Sequence, residues 1–150
     1  MDTNERSDAR HRVEKAIAFY ESSGKEETLS RIADPKGQFI DGERYIFALD
    51  LEGKLLAHPF AKKLAGRNLM DLRDSEGKRF IRKLLAKAKN RGYGFVGYMW
   101  PVPNSGDELH KTVFFERADG MVICSGFYSV KRSFLDAMFG GYCGPPYVPL

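Results

Sequence analysis

Residues 93–128 read YGFVGYMWPVPNSGDELHKTVFFERADGMVICSGFY, and this stretch decides the fold. Three runs rich in aromatic and β-branched residues are separated by two short polar clusters. Tyr93 to Trp100 is the first strand, stopped by Pro101 and Pro103, Leu109 to Arg117 is the second, and Val122 to Tyr128 is the third. The clusters Asn104-Ser-Gly-Asp107 and Ala118-Asp-Gly120 hold the residue types that turns require, so the three strands form an antiparallel meander. On the first strand, period-two alternation sets Tyr98 and Trp100 on one face and Phe95 and Met99 on the other.

Upstream of the meander the period lengthens. Asp74 or Ser75 reads as the N-cap of a helix from about Gly77 to Asn90, with Phe80, Ile81, Leu84, Leu85 and Ala88 as its apolar stripe and Gly92 as its stop. Lys78, Arg82, Lys83, Lys87 and Lys89 give that helix a basic outer face, which is the ordinary pattern of a solvated helix surface. Further back, Tyr45 to Asp50 and Lys54 to His58 pair as a hairpin through Leu51-Glu-Gly53, and Pro59 stops the second strand. A helical turn is expected around Ala61–Leu64 in an otherwise irregular segment. The chain opens with a helix over about 5–22, on which Val13, Ala16, Ile17 and Tyr20 fall at helical spacing and which Gly24 ends. A shorter helix follows from Glu26 with Leu29, Ile32 and Ala33 on one side, closed by Asp34-Pro-Lys-Gly37. Five strands with a helix on one face make an α+β domain with an antiparallel sheet.

The chain of 150 residues is the length of one ordinary domain. Residues 1–130 read as that domain and 131–150 as an apolar tail, in which Phe134, Leu135, Met138 and Phe139 recur at helical spacing before a Gly/Pro-rich end. Such a tail is expected to pack on the domain or on a second subunit. With 24 Lys plus Arg against 20 Asp plus Glu, and both signs mixed throughout, the net charge of +4 describes a solvated surface rather than a nucleic-acid footprint. Cys124 and Cys143 have no CxxC spacing and no His cluster, so no zinc site is expected, while a disulfide between them and two separate thiols both fit the residues. The polar N-terminus carries no signal peptide and no run of 18 apolar residues occurs, so no membrane insertion is expected and the residues alone point to the cytoplasm.

Catalytic signatures are missing. His11, His58 and His110 share no metal-ligand spacing, and there is no GxSxG, HExxH, P-loop or strand-linked GxGxxG. The chain reads as a binding protein without catalytic machinery, metal or cofactor. Tyr98 and Trp100 offer apolar walls with donors at their rim, His58 closes an apolar strand, and Lys111 opens another beside Val113, Phe114 and Phe115.

Taken in order, these pieces resemble one family. Phe47-Ala-Leu-Asp-Leu-Glu-Gly-Lys-Leu-Leu-Ala-His-Pro59 is similar to the first hairpin of single Cache domains of type 2, which are bacterial sensor modules. The segment Gly66 to Ile81, then Gly94 to Pro101, Lys111 to Phe114 and Val122 to Tyr128, continue the match over about residues 10–130. The resemblance implies a PAS-like Cache fold, with a long N-terminal helix, one crossover helix and a pocket for a small organic acid. It implies that His58, Tyr98, Trp100 and Lys111 receive the carboxylate, and that Phe47, Leu69 and Phe80 form walls limiting it to two to four carbons, as in acetate, propionate, pyruvate or lactate. Cys124 stands where the family pattern has Gly and Phe114 where it has Tyr. The resemblance places the domain in the periplasm and implies a signal that leaves through a signalling partner or a homodimer. The competing expectation is an oligomerisation module whose pocket has filled in.

Overall fold

The computed structural model describes residues 2–129. The tail from 131, its expected helical turns and Cys143 lie outside the described residues. The elements run α1 (Asp2–Ser23), α2 (Lys25–Ala33), β1 (Ile46–Asp50), β2 (Leu55–Ala57), a short 3-10 turn (Lys62–Leu64), α3 (Phe80–Arg91), β3 (Tyr93–Pro101), β4 (Glu108–Ala118) and β5 (Met121–Tyr128). The five strands form one antiparallel sheet in the order β2-β1-β5-β4-β3. The meander thus folds as its alternation predicts, and the hairpin docks through β1 on β5, with Ile46 opposite Ser125 and Asp50 opposite Met121. Gly53 turns the hairpin at φ 99°, and a side chain there would strike Met70 Cγ at 2.6 Å; the position requires Gly both for its backbone and for its space.

Helices cover both faces of the sheet, not one. α3 lies on the first face, where its predicted stripe is fully buried with Leu49, Leu55, Val96, Val113, Phe115 and Val122. α1 and α2 cover the second, packing Ala9, Val13, Ala16 and Ile32 on Ile46, Ala48, Phe114, Ile123 and Phe127. The physical reason is period two: a strand buried on both faces alternates between two apolar sets rather than between apolar and polar, and β5 is buried from Met121 to Phe127. Arg12 of α1 ties the helix down, donating from Nε to Ser125 Oγ at 2.8 Å and from Nη2 to the Gly126 carbonyl at 3.1 Å.

The start of α3 differs from the expectation. The helix begins at Phe80, with Arg79 before it and no side-chain cap. Asp74 serves another end: its carboxylate accepts the backbone N–H groups of Glu76 and Lys78, and then that of Met99 on β3 at 2.9 Å. Lys78 and Lys87 donate to the Gly97 and Phe95 carbonyls. Three side chains therefore saturate outward groups of the edge strand β3, which blunts it against further strand pairing. Two members of the basic surface are thus committed to the protein's own backbone.

Candidate functional site

Between the sheet and α3 the odd-numbered face of β1 and its flank carries Tyr45 and Phe47, β3 carries Tyr98 and Trp100, and β4 carries Lys111. His58 enters from the residue after β2, where Pro59 turns the chain. All seven residues expected from the sequence line one chamber: His58, Tyr98, Trp100 and Lys111 as its polar members, and Phe47, Leu69 and Phe80 among its walls. Phe80 stacks on Tyr98 at 3.8 Å between centroids with 13° between planes, so the first residue of α3 fixes a ring of β3. Leu55, Ala61, Leu64 and Ile81 complete the lining. The chamber is contracted, with a free volume of about 10 Å³, room for about one water. His58, Ala61 and Trp100 form a partition shared with an open cleft of about 370 Å³ under Pro101, Val102 and Pro103.

Lys111 is the most demanding group here. It is 1% exposed, and no carboxylate among the described residues offsets its burial, which pushes its pKa down from 10.5 to about 7. Its Nζ donates to Tyr45 Oη at 2.7 Å and stands 4.3 Å from the Tyr45 ring centroid, 5.0 Å from that of Phe47 and about 6 Å from those of Tyr98, Trp100 and Tyr128. An ammonium ringed by π-faces is partly stabilised by them, but no anion among the described residues answers it. Gly126 makes the space: a Cβ there would meet the Thr112 carbonyl at 2.5 Å and Lys111 Cε at 3.2 Å.

The tautomer of His58 follows from its partners. Nδ1 accepts the backbone N–H of Phe60 at 3.0 Å and of Ala61 at 2.8 Å, so the proton resides on Nε2. Burial first, and then the charges of Lys111 and Lys62, hold the imidazole well below its usual pKa. His58 is therefore a neutral donor with Nε2–H left for the chamber. The Tyr98 hydroxyl, pushed up by burial, has no hydrogen-bond partner among the described residues. Buried polar groups without partners are uncommon and call for one.

Two contributors were not among the expected site residues. Tyr45 receives Lys111 and lies 3.3 Å from Tyr128 Oη, which in turn donates to the Pro101 carbonyl at 2.9 Å. A hydroxyl has a single proton, so Tyr45 donates to Tyr128 and the chain runs Lys111, Tyr45, Tyr128, Pro101. Both were findable: Tyr45 shares the parity of Phe47 two residues on, and Tyr128 stands directly opposite Lys111 in register. Phe114 proves to point away, packing against α1, so the hydroxyl it lacks is not missing from the chamber. Cys124 is buried on the chamber side, opposite Phe47.

A model of the Cache domain matches residues 8–131. The methyl-accepting chemotaxis protein McpP of Pseudomonas putida is 30% identical over 131 residues, covering 79% of this chain and 24% of McpP. Sensor histidine kinase MctS of Rhizobium johnstonii is 34% identical over 86 residues, 56% of this chain and 18% of MctS. The chain thus spans about a quarter or less of the length of these relatives. Among solved structures, a periplasmic sensor domain of a chemotaxis protein matches with TM-score 0.67 and 28% identity, over 83% of this chain and 90% of that one. A Cache chemosensory domain described for carboxylic acid recognition matches with TM-score 0.74 and 24% identity, over 85% and 95%. This chain belongs to the Cache domain family, the sensory ligand-binding domains of chemoreceptors and histidine kinases.

Proposed function

We propose that the chamber binds the carboxylate of a short-chain organic acid, of the acetate, propionate, pyruvate or lactate class, and that its occupancy is the input of a signal-transduction protein that releases the acid unchanged. The observation that carries this reading is Lys111: a wholly buried amine with no carboxylate partner among the described residues, beside the His58 Nε2–H and the Tyr98 hydroxyl, which have no acceptor among them. Burying a carboxylate costs several kcal/mol unless charge and hydrogen bonds receive it. Lys111 supplies the charge, and His58 Nε2–H, the Tyr98 hydroxyl and the Trp100 indole N–H supply the bonds. Phe47, Leu69 and Phe80 leave space only for small acids. A Cache domain of the same fold is described for carboxylic acid recognition, and the relatives McpP and MctS are a chemoreceptor and a sensor kinase.

With about 10 Å³ free, an acid enters only when the partition of His58, Ala61 and Trp100 moves toward the open cleft beyond it. Cache domains are typically periplasmic, and on this reading the domain samples acids there and reports through a homodimer or a signalling partner. Among the described residues no helix is long and apolar enough to cross a membrane. The same small volume favours a second reading, an oligomerisation module whose chamber stays shut.

Thermal melts of the full chain with each of the four acids separate the two. An acid at 100 times its Kd stabilises the fold by about 2.7 kcal/mol. A shift with at least one acid is the expected result. Unchanged melting with all four, together with a stable oligomer by light scattering, would favour the second reading over the first.

A further inference from the structure

We infer that Lys111 captures the carbonyl carbon of a 2-oxo acid, of which pyruvate is the smallest, as a reversible imine inside the chamber, an inference that rests on the carboxylate reading above. The ligand's two functional groups meet two different sets of protein groups. When a 2-oxo acid is captured, its carboxylate rests on the neutral donors His58 Nε2–H and Tyr98 hydroxyl, while Lys111, which pairs with the carboxylate of an acid lacking a carbonyl, turns to the carbonyl carbon. Lys111 is an amine with a hydroxyl already on its nitrogen, Tyr45 Oη at 2.7 Å. A hydroxy acid such as lactate has the first group without the second.

A lysine desolvated in an apolar pocket is the form of this side chain that attacks carbonyls. Here the cage of Tyr45, Phe47, Tyr98, Trp100 and Tyr128 and the near absence of free volume remove water, and no carboxylate among the described residues holds the amine in its charged form. With burial bringing its pKa to about 7, a large share of Lys111 carries its lone pair at neutrality. The other titratable groups facing it do not compete for the proton. His58 is held neutral, burial pushes the Tyr45 and Tyr98 hydroxyls and the Cys124 thiol up, and that of Tyr128 is pushed up to about 12.

In the step, the Nζ lone pair forms the C–N bond while the carbonyl π pair moves to oxygen; Tyr45 gives its hydroxyl proton to that oxygen and takes one from the nitrogen in return, leaving a carbinolamine. Tyr45 then protonates the carbinolamine hydroxyl, which leaves as water as the nitrogen lone pair forms C=N. The remaining N–H proton passes to Tyr45, so both amine protons end on the water and the imine is neutral. One water is released, and nothing is oxidised or reduced. Hydrolysis runs the same steps backward and returns the acid intact, so capture prolongs occupancy without consuming the ligand.

The test is reductive trapping on the full chain. Pyruvate with sodium borohydride is expected to add one reduced pyruvate per chain, mapped to Lys111 by peptide mass spectrometry and suppressed at least tenfold by excess propionate, whereas lactate with borohydride adds nothing. Calorimetry without borohydride is run beside it on the same acids. If pyruvate and propionate bind but no label reaches Lys111, or the label spreads over surface lysines and ignores propionate, the imine is refuted and the carboxylate site stands. If no acid binds in calorimetry and no label forms, both fall.

Discussion

The two faces of the sheet are built from the same strands and solve burial in opposite ways. On the α1–α2 side, the polar groups that go under cover are answered within the protein: Ser125 donates to the Tyr45 carbonyl and accepts from Arg12, whose other bond goes to Gly126. On the α3 side, Lys111 meets only a hydroxyl and aromatic rings, and the Tyr98 hydroxyl meets nothing among the described residues. One side is closed-packed for stability. The other retains polar groups with no partner of their own among the described residues, and that difference is the physical ground for proposing the α3 side as the binding side.

Substitutions on the two sides should therefore separate stability from binding. The largest effect is expected on the packed side. Phe114→Ala removes a fully buried ring between the sheet and α1 and should lower stability in urea melts by about 3–5 kcal/mol, with propionate affinity within about threefold of wild type. Loss of binding in a still folded Phe114→Ala protein would break the division.

Lys111→Met is the converse. Removing one partner of a buried charge pair weakens binding by about 2–5 kcal/mol, so calorimetry with propionate should record at least a thirtyfold loss. The unliganded protein should at the same time become more stable, because an apolar chain of similar volume replaces an uncompensated buried ammonium. A Lys111→Met protein that both binds and melts like wild type would remove the reason for calling the chamber a site. Arg12→Met, on the packed side, should cost about 1–3 kcal/mol by leaving the Ser125 and Gly126 acceptors short of a donor, and should leave affinity unchanged.

An effect of similar size to that of Arg12→Met is the pH dependence of the unliganded fold. Unfolded, Lys111 keeps its proton up to about 10.5; folded, only to about 7. Between those values the unfolded chain binds more protons, so the contribution of Lys111 to stability rises with pH across this window and is lost as pH falls through 7. Melts at pH 7 and pH 9 should differ more for wild type than for Lys111→Met. An equal difference in the two proteins would mean that Lys111 keeps its charge when buried.

How much of this was legible beforehand depends on how local each determinant is. The meander, the hairpin and the stripe of α3 are written in periods of two and 3.6, which neighbours in sequence carry by themselves. The second covered face was not, because the outer set of β5 looks the same whether a helix lies on it or the strand is simply apolar. Asp74 has the signature of a helix cap, yet its carboxylate goes to Met99, 25 residues away, a contact no local pattern encodes. The convergence of His58, Tyr98, Trp100 and Lys111 was expected from the Cache resemblance rather than from spacing. Tyr45 and Tyr128 were missed, although strand parity and register point to them once the sheet order is known. The free volume of the chamber was beyond any such reading, since it depends on the packing of a dozen side chains to fractions of an ångström.

The most direct test of the unanswered ammonium is its proton. Propionate has no carbonyl for the amine to attack, so its binding isolates the ion pair. Calorimetry at pH 8 in two buffers of different ionisation enthalpy measures the protons exchanged on binding. With Lys111 near pKa 7 before binding and restored to its charged form by the carboxylate, about 0.9 proton should be taken up per propionate bound, and none in any residual binding by Lys111→Met. Binding without proton uptake, at wild-type affinity, would contradict the account.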